Sequence, residues 1–149
     1  MAINMFGMEV VMYIKGKFVS GQELDEVKVV RNCCGLATED TDDSMAIHVV
    51  AYCVDEETKP VATGRLCFDG DEYTIDKLCR CPEENDDYTD FVLKMLIYQA
   101  VQHGANMITA LCSSEQVTLY KRNRFILLEE NDNICTMRLE NATVHHCCN

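Results

Sequence analysis

The sequence predicts an α+β domain, a central and mostly antiparallel twisted sheet flanked by helices, and three observations carry that prediction. Three apolar, β-branched runs, Met45–Val54, Val61–Phe68 and Thr74–Cys81, follow one another across the turns Asp55–Lys59 and Asp69-Gly70-Asp71. Such runs joined by short turns read as an antiparallel meander. Next comes the longest amphipathic stretch, Tyr88–His103, where Phe91, Val92, Met95, Leu96, Gln99 and Ala100 recur three and four residues apart. That is the period of a helix. A short apolar run, Asn106–Cys112, completes a strand–helix–strand unit from Thr74. A right-handed crossover makes its two strands parallel.

The remaining elements follow in order. Met8–Ile14 reads as a strand, with Lys15–Val19 as an ambiguous extension. Ser20-Gly-Gln-Glu23 matches a capping box, so a helix is expected over Gly21–Asn32, ended by Gly35. Leu36–Ser44 is a polar loop. After the parallel strand, Ser113-Ser-Glu-Gln116 opens a short helix, Glu115–Asn123. Two strands, Phe125–Glu129 and Ile134–Leu139, close the fold across the turn Glu130–Asn133. Residues 1–140 are read as one domain and 141–149 as a tail.

Composition narrows the function. A formal charge of −12 over 149 residues argues against a nucleic-acid partner, which needs clustered Lys and Arg. The acidic turns supply solubility, or attract a cationic amine. No apolar run approaches a membrane span, and Met1–Val11 lacks a basic n-region and a cleavage site. No membrane association and a cytoplasmic location are therefore expected. The ten cysteines include no Cys-x-x-Cys, and many fall in strands, where a free thiol packs like a small hydrophobe. Cys79 and Cys81 are placed on one face of a strand, as two metal ligands could be, but sequence places no second pair beside them, so core packing is the favoured reading. His145-His146-Cys147-Cys148 reads as a tail with adventitious metal affinity.

The stretch Leu78–Thr89 holds the first candidate site. A strand runs through Pro82 into the turn Glu83–Asp87 and then into the long helix. A strand-to-helix junction offers free backbone N–H groups to a phosphate. This turn carries Glu83, Glu84, Asp86 and Asp87, with no glycine and no nearby lysine. Asp86 and Asp87 also suit the start of a helix, where negative charge is stabilising.

Several segments in this order resemble the GNAT acetyltransferases: Pro60-Val-Ala-Thr-Gly-Arg-Leu66, the Asp-Gly hairpin, the strand entering Cys81-Pro82-Glu83, the helix ending in Gly104-Ala105, and Leu119-Tyr120-Lys-Arg-Asn-Arg-Phe125. The resemblance spans roughly residues 45–139. It implies a GNAT-like sheet and an enzyme that moves an acetyl group from acetyl-CoA to a small-molecule primary amine or an amino-terminal group. It further implies that Leu78, Cys79 and Arg80 supply backbone to the pantetheine arm, and that Tyr120 is the general acid. The family's diphosphate turn falls on Glu84, Asn85, Asp86, Asp87, Tyr88 and Thr89. Its basic residue corresponds to Glu84 and its glycines to about Asn85, Asp87 and Thr89. Two carboxylates would then face a diphosphate, at a cost on the order of a few kcal/mol. Arg124 stands where the family usually has glycine. Homodimers are common in such sheets through their edge strands.

Plainer readings accompany these. Tyr120 also suits a packing role, and Arg65 and Arg80 suit ion pairs with neighbouring carboxylates. His48 reads as a structural histidine. A general base is not singled out among Glu72, Asp76 and Glu115. The second functional reading is a non-catalytic binding or assembly module that has lost CoA through its acidic, glycine-free turn.

Overall fold

The structure, a computed structural model, describes residues 2–5, 8–11 and 13–143. In chain order its elements are β1 (Ala2–Met5), β2 (Met8–Val11), β3 (Lys15–Ser20), α1 (Asp25–Cys33), β4 (Ile47–Tyr52), β5 (Pro60–Asp69) and β6 (Glu72–Arg80). Then follow α2 (Asp86–Gln102), β7 (Met107–Ser113), α3 (Val117–Arg122), β8 (Ile126–Asn131) and β9 (Ile134–Glu140). β1 and β2 pair as a separate hairpin, and the other strands form one sheet in the order β3-β4-β5-β6-β7-β9-β8. Among the described residues of this sheet, only the β6–β7 pair is parallel. This is the predicted meander followed by the predicted crossover.

The helices cover opposite faces of that sheet. Along β4, Val49 and Ala51 join the core under α2, while Val50 packs with Leu24 and Val27 on the α1 side. α2 buries Val92, Leu93, Leu96, Ile97 and Ala100. The buried face therefore turns toward Leu93 and Ile97, leaving Phe91, Met95 and Gln99 of the predicted stripe half-buried. Gly64 of β5 permits this seating, because a Cβ there would lie 2.8 Å from Leu96 Cδ1. Gly104 ends the helix with φ of 96°, in the conformation glycine favours.

The predicted start of α1 is corrected. Ser20 belongs to β3, paired with Ile47 of β4, and is not a cap. Gly21 then turns the chain with φ of 69°, and the helix begins only at Asp25. Sheet pairing thus outcompetes the local capping box. Gly35 ends the helix as expected, with φ of 76°.

A buried ionic network fastens α1 to the sheet. Arg31, 1% exposed, donates to both Asp43 oxygens at 2.8 and 3.0 Å. Arg65 of β5 grips Asp76 of β6 at 2.8 and 2.9 Å and also reaches Asp40 and Asp43. The polar loop 36–44 is thereby pinned. Burial works against ionisation of Asp43, but its hydrogen bonds from Arg31 and Arg65 outweigh that and hold its carboxyl below the usual range. The Asp42 amide and then Arg65 hold Asp40 low as well. His48 is fully buried, with Nε2 3.0 Å from the Asp43 carbonyl, as suits a structural histidine.

After β9, Ala142 is buried and its amide donates to Asn106 O at 2.9 Å. The Thr143 hydroxyl donates to Ala105 O. The first residues assigned to the tail thus pack under the α2–β7 connection. His145–Cys148 lies outside the described residues.

Candidate active site

The site begins with a break between two strands. β6 and β7 pair only through Thr74–Thr109 and Ile75–Ala110. Two residues later Lys77 sits at φ of 53°, opposite a register shift between Thr63 and Arg65 of β5. This bulge bends β6 away from β7. Beyond it a cleft of about 650 Å³ opens, walled by Leu78, Cys79 and Arg80 on one side and Leu111, Cys112 and Ser113 on the other. Diverging strands leave backbone N–H and C=O groups without their cross-strand partners, so such a cleft suits an amide-bearing chain, although here Leu78 O and Arg80 O already accept from Gln116 and Cys34.

The segment after β7 closes the back of the cleft. Ser113 and Gln116 form the predicted capping box. Gln116 Nε2 also donates to Leu78 O at 2.7 Å, bridging the two walls. α3 carries Leu119 and Arg122 onto the cleft.

Tyr120, on the same helix, is fully buried and stacks edge-on against Phe125, with ring centroids 5.1 Å apart. Its hydroxyl has no hydrogen-bond partner among the described residues. Burial pushes its pKa up, and nearby Cys112 and Asp76 add to the effect. Tyr120 does not itself line the cleft, although Leu119 and Arg122 of the same helix do. Burial also raises the Cys112 thiol to about 12, so it is neutral at pH 7 and unsuited to nucleophilic attack. Arg124 takes φ of 72°, the left-handed conformation that accounts for a glycine at this place in the family pattern.

The residues assigned to a cofactor from sequence divide sharply. Leu78, Cys79, Arg80, Asp86 and Thr89 line the cleft, whereas Glu84, Asn85, Asp87 and Tyr88 do not. Glu84 is directed toward Cys53, at 3.8 Å. The buried Tyr88 ring points to the far side of the turn, where its hydroxyl accepts from the Val54 amide. Asp86 pairs with Arg80 at 2.9 Å, so the one carboxylate of the turn at the cleft is neutralised. Among the general-base candidates, Asp76 is committed to Arg65, Glu72 lies elsewhere, and Glu115 lines the cleft.

Three of the turn's backbone donors are committed. The Glu84 amide bonds Cys81 O, the Asp87 amide bonds the Asn85 side chain, and the Tyr88 amide bonds Asn85 O. Pro82 has no N–H. Sequence reasoning missed the cations that stand in for these donors: Lys77 and Arg122 join Arg80 along the cleft. Arg122 is separated from Arg80 by more than forty residues, and only the fold brings them together. The cleft thus brings Lys77, Arg80 and Arg122 together beside the diverging strands.

No protein-family model matches the chain, and no curated protein matches it. Solved structures do. The PaiA N-acetyltransferase of Thermoplasma acidophilum, in complex with coenzyme A, superposes with a TM-score of 0.67 at 11% identity, covering 87% of this chain and 99% of that one. An acyl-CoA N-acyltransferase from Pseudomonas aeruginosa gives 0.67 at 13% identity, covering 85% and 99%. The ribosomal-protein-S18-alanine N-acetyltransferase of Escherichia coli gives 0.65 at 12% identity, covering 85% and 94%. With the splayed parallel pair and the strand order above, these superpositions establish that the chain has the GNAT N-acetyltransferase fold.

Proposed function

We propose that the protein is an N-acyltransferase that uses acetyl-CoA and acylates a primary amine, on a small molecule or at a chain terminus. The observation that carries this reading is the pairing of an open β6–β7 cleft with a buried, unpartnered Tyr120 hydroxyl on α3, the helix whose Leu119 and Arg122 line that cleft. The donor supplies an activated thioester. The amine nitrogen bonds to the carbonyl carbon, the C–S bond breaks, and the proton lost by nitrogen balances the one gained by sulfur. Burial keeps Tyr120 protonated at neutral pH, the state in which it donates to sulfur as negative charge develops there. The Gln116–Leu78 bridge holds the walls in register, and Arg80 and Arg122 meet the phosphates. The acidic surface draws a cationic acceptor toward the protein.

A second reading, a non-catalytic module, is favoured by the absence of glycine from the turn and by the three turn amides, of Glu84, Asp87 and Tyr88, that are already bonded. Calorimetric and thermal-shift titration with acetyl-CoA separates the two. A native-state ligand raises the unfolding midpoint as its concentration passes Kd. Absence of heat and of any midpoint shift at millimolar acetyl-CoA would falsify the enzyme reading and leave the module.

A further inference from the structure

Sequence places Cys79 and Cys81 on one side of a strand but finds them no partners. The fold supplies those partners. α1 ends in Cys33 with Cys34 as its C-cap, and this helix end lies against the point where β6 leaves the sheet. The Cys34 thiol donates to Arg80 O at 2.9 Å, which fixes the contact. Cys33 meets Cys81, and Cys34 meets Cys79. The turn then adds a carboxylate: the Cys33 Sγ, the Cys81 Sγ and a Glu83 oxygen all lie within 4.8 Å of one another.

Hydrophobic packing does not account for this group. Cys33 and Glu83 are exposed, and an acidic side chain beside two thiols is no apolar contact. The Glu83 ion pair with Lys59 is long, at 3.9 Å, and exposed on both sides, so it contributes little to holding the carboxylate there. Two thiols and a carboxylate are a donor set for zinc. Zinc–sulfur bonds near 2.3 Å put tetrahedral ligands about 3.8 Å apart, so closing from 4.8 Å needs only small side-chain rotations. Cys81 is held for this by its amide, which bonds Val61 O at 2.8 Å.

We propose that Cys33, Cys81 and Glu83 bind one zinc-class divalent cation per chain, with solvent in the fourth position. The ion would clamp the end of α1 to the end of β6, beside the cleft but not within the acyl-transfer machinery. The proposal is independent of the catalytic reading.

Cobalt(II) is the test probe, added to the full-length, metal-free protein kept reduced by a phosphine. The expected result is one equivalent bound, with thiolate-to-cobalt charge-transfer absorption and tetrahedral visible bands, both abolished by zinc. Cys33→Ser and Glu83→Gln both change exposed side chains, so neither threatens folding. Each should weaken cobalt binding at least ~10-fold, since even outer-shell changes at metal sites cost that much. Replacing Cys147 and Cys148 by Ser should leave the spectrum intact. The proposal is overturned if no charge-transfer band appears below millimolar cobalt. It is equally overturned if both single variants bind as the parent does, or if the tail variant alone loses the signal.

Discussion

Replacing Tyr120 by Phe should make the protein more stable and a poorer catalyst at once. The hydroxyl is fully buried and has no partner among the described residues. Leaving a buried donor unsatisfied costs about 1–3 kcal/mol, and Tyr120→Phe removes the hydroxyl without removing the ring. The edge-on contact with Phe125, at an interplanar angle of 87°, uses only ring atoms and survives. The expected gain is about 1 kcal/mol. For a chain of this length that is roughly 2–4 °C in the unfolding midpoint.

Catalysis should move the other way. A single donor to a developing anion is worth about 10²–10³ in kcat, and acetyl-CoA affinity, set by the arm and the arginines, should change little. Thermal melts of the ligand-free proteins and mass-spectrometric initial rates with a panel of amines read both effects. A variant less stable than the parent by 1 kcal/mol or more would mean the hydroxyl is satisfied in solution. Unchanged turnover would remove its role as a donor to sulfur.

Three further outcomes are expected. Asp43→Ala strands Arg31, 1% exposed, in the interior and should cost about 3–5 kcal/mol in urea unfolding. Asp40→Ala, at a site about a third exposed where Arg65 keeps Asp76, should cost under ~1 kcal/mol, and equal costs would refute this account of the network. Burial holds His48 below its ordinary value of 6.5, so the unfolded chain takes up a proton that the native one refuses. Stability should therefore be fully present above pH 6.5 and fall as pH drops toward the folded value; His48→Gln should flatten that slope in melts between pH 7 and 5. Arg122→Ala should weaken acetyl-CoA binding about 10-fold or more but leave S-acetylpantetheine, which lacks the diphosphate, unaffected in calorimetry.

Much of the fold was legible because its signals are local. The Asp-Gly turn, the apolar periods of β4 through α2 and the terminal glycines each act within a few residues, and they agree with one another. The errors lie where distant residues decide. Ser20 carries a capping signal, yet pairing with Ile47 takes it into β3. The bulge at Lys77, which opens the cleft, uses a residue type with no preference for positive φ, so nothing in the sequence marks it. Arg122 and Gln116 reach the site from a helix and a cap whose own patterns are satisfied locally. The meeting of Cys33 with Cys81 is likewise tertiary, since α1 and β6 are brought together by the sheet.

The acidic turn shows why residue type alone misjudges electrostatics. From sequence, two carboxylates oppose a diphosphate at close range. In the fold, Glu84 turns toward Cys53, Asp86 is paired with Arg80, and neither Glu84 nor Asp87 lines the cleft. Direct repulsion is therefore small, while the cations along the cleft favour phosphate. What the turn has fewer of is donors, because Asn85 and the local turn bonds occupy the amides of Glu84, Asp87 and Tyr88 and Pro82 has none. A turn whose backbone N–H groups are already fixed by the fold pays little to present them, whereas arginine side chains must be ordered when they engage. Under the proposed function, the phosphates would meet fewer backbone donors and more side-chain cations. Affinity for the donor should then rest more on its pantetheine arm than on its nucleotide.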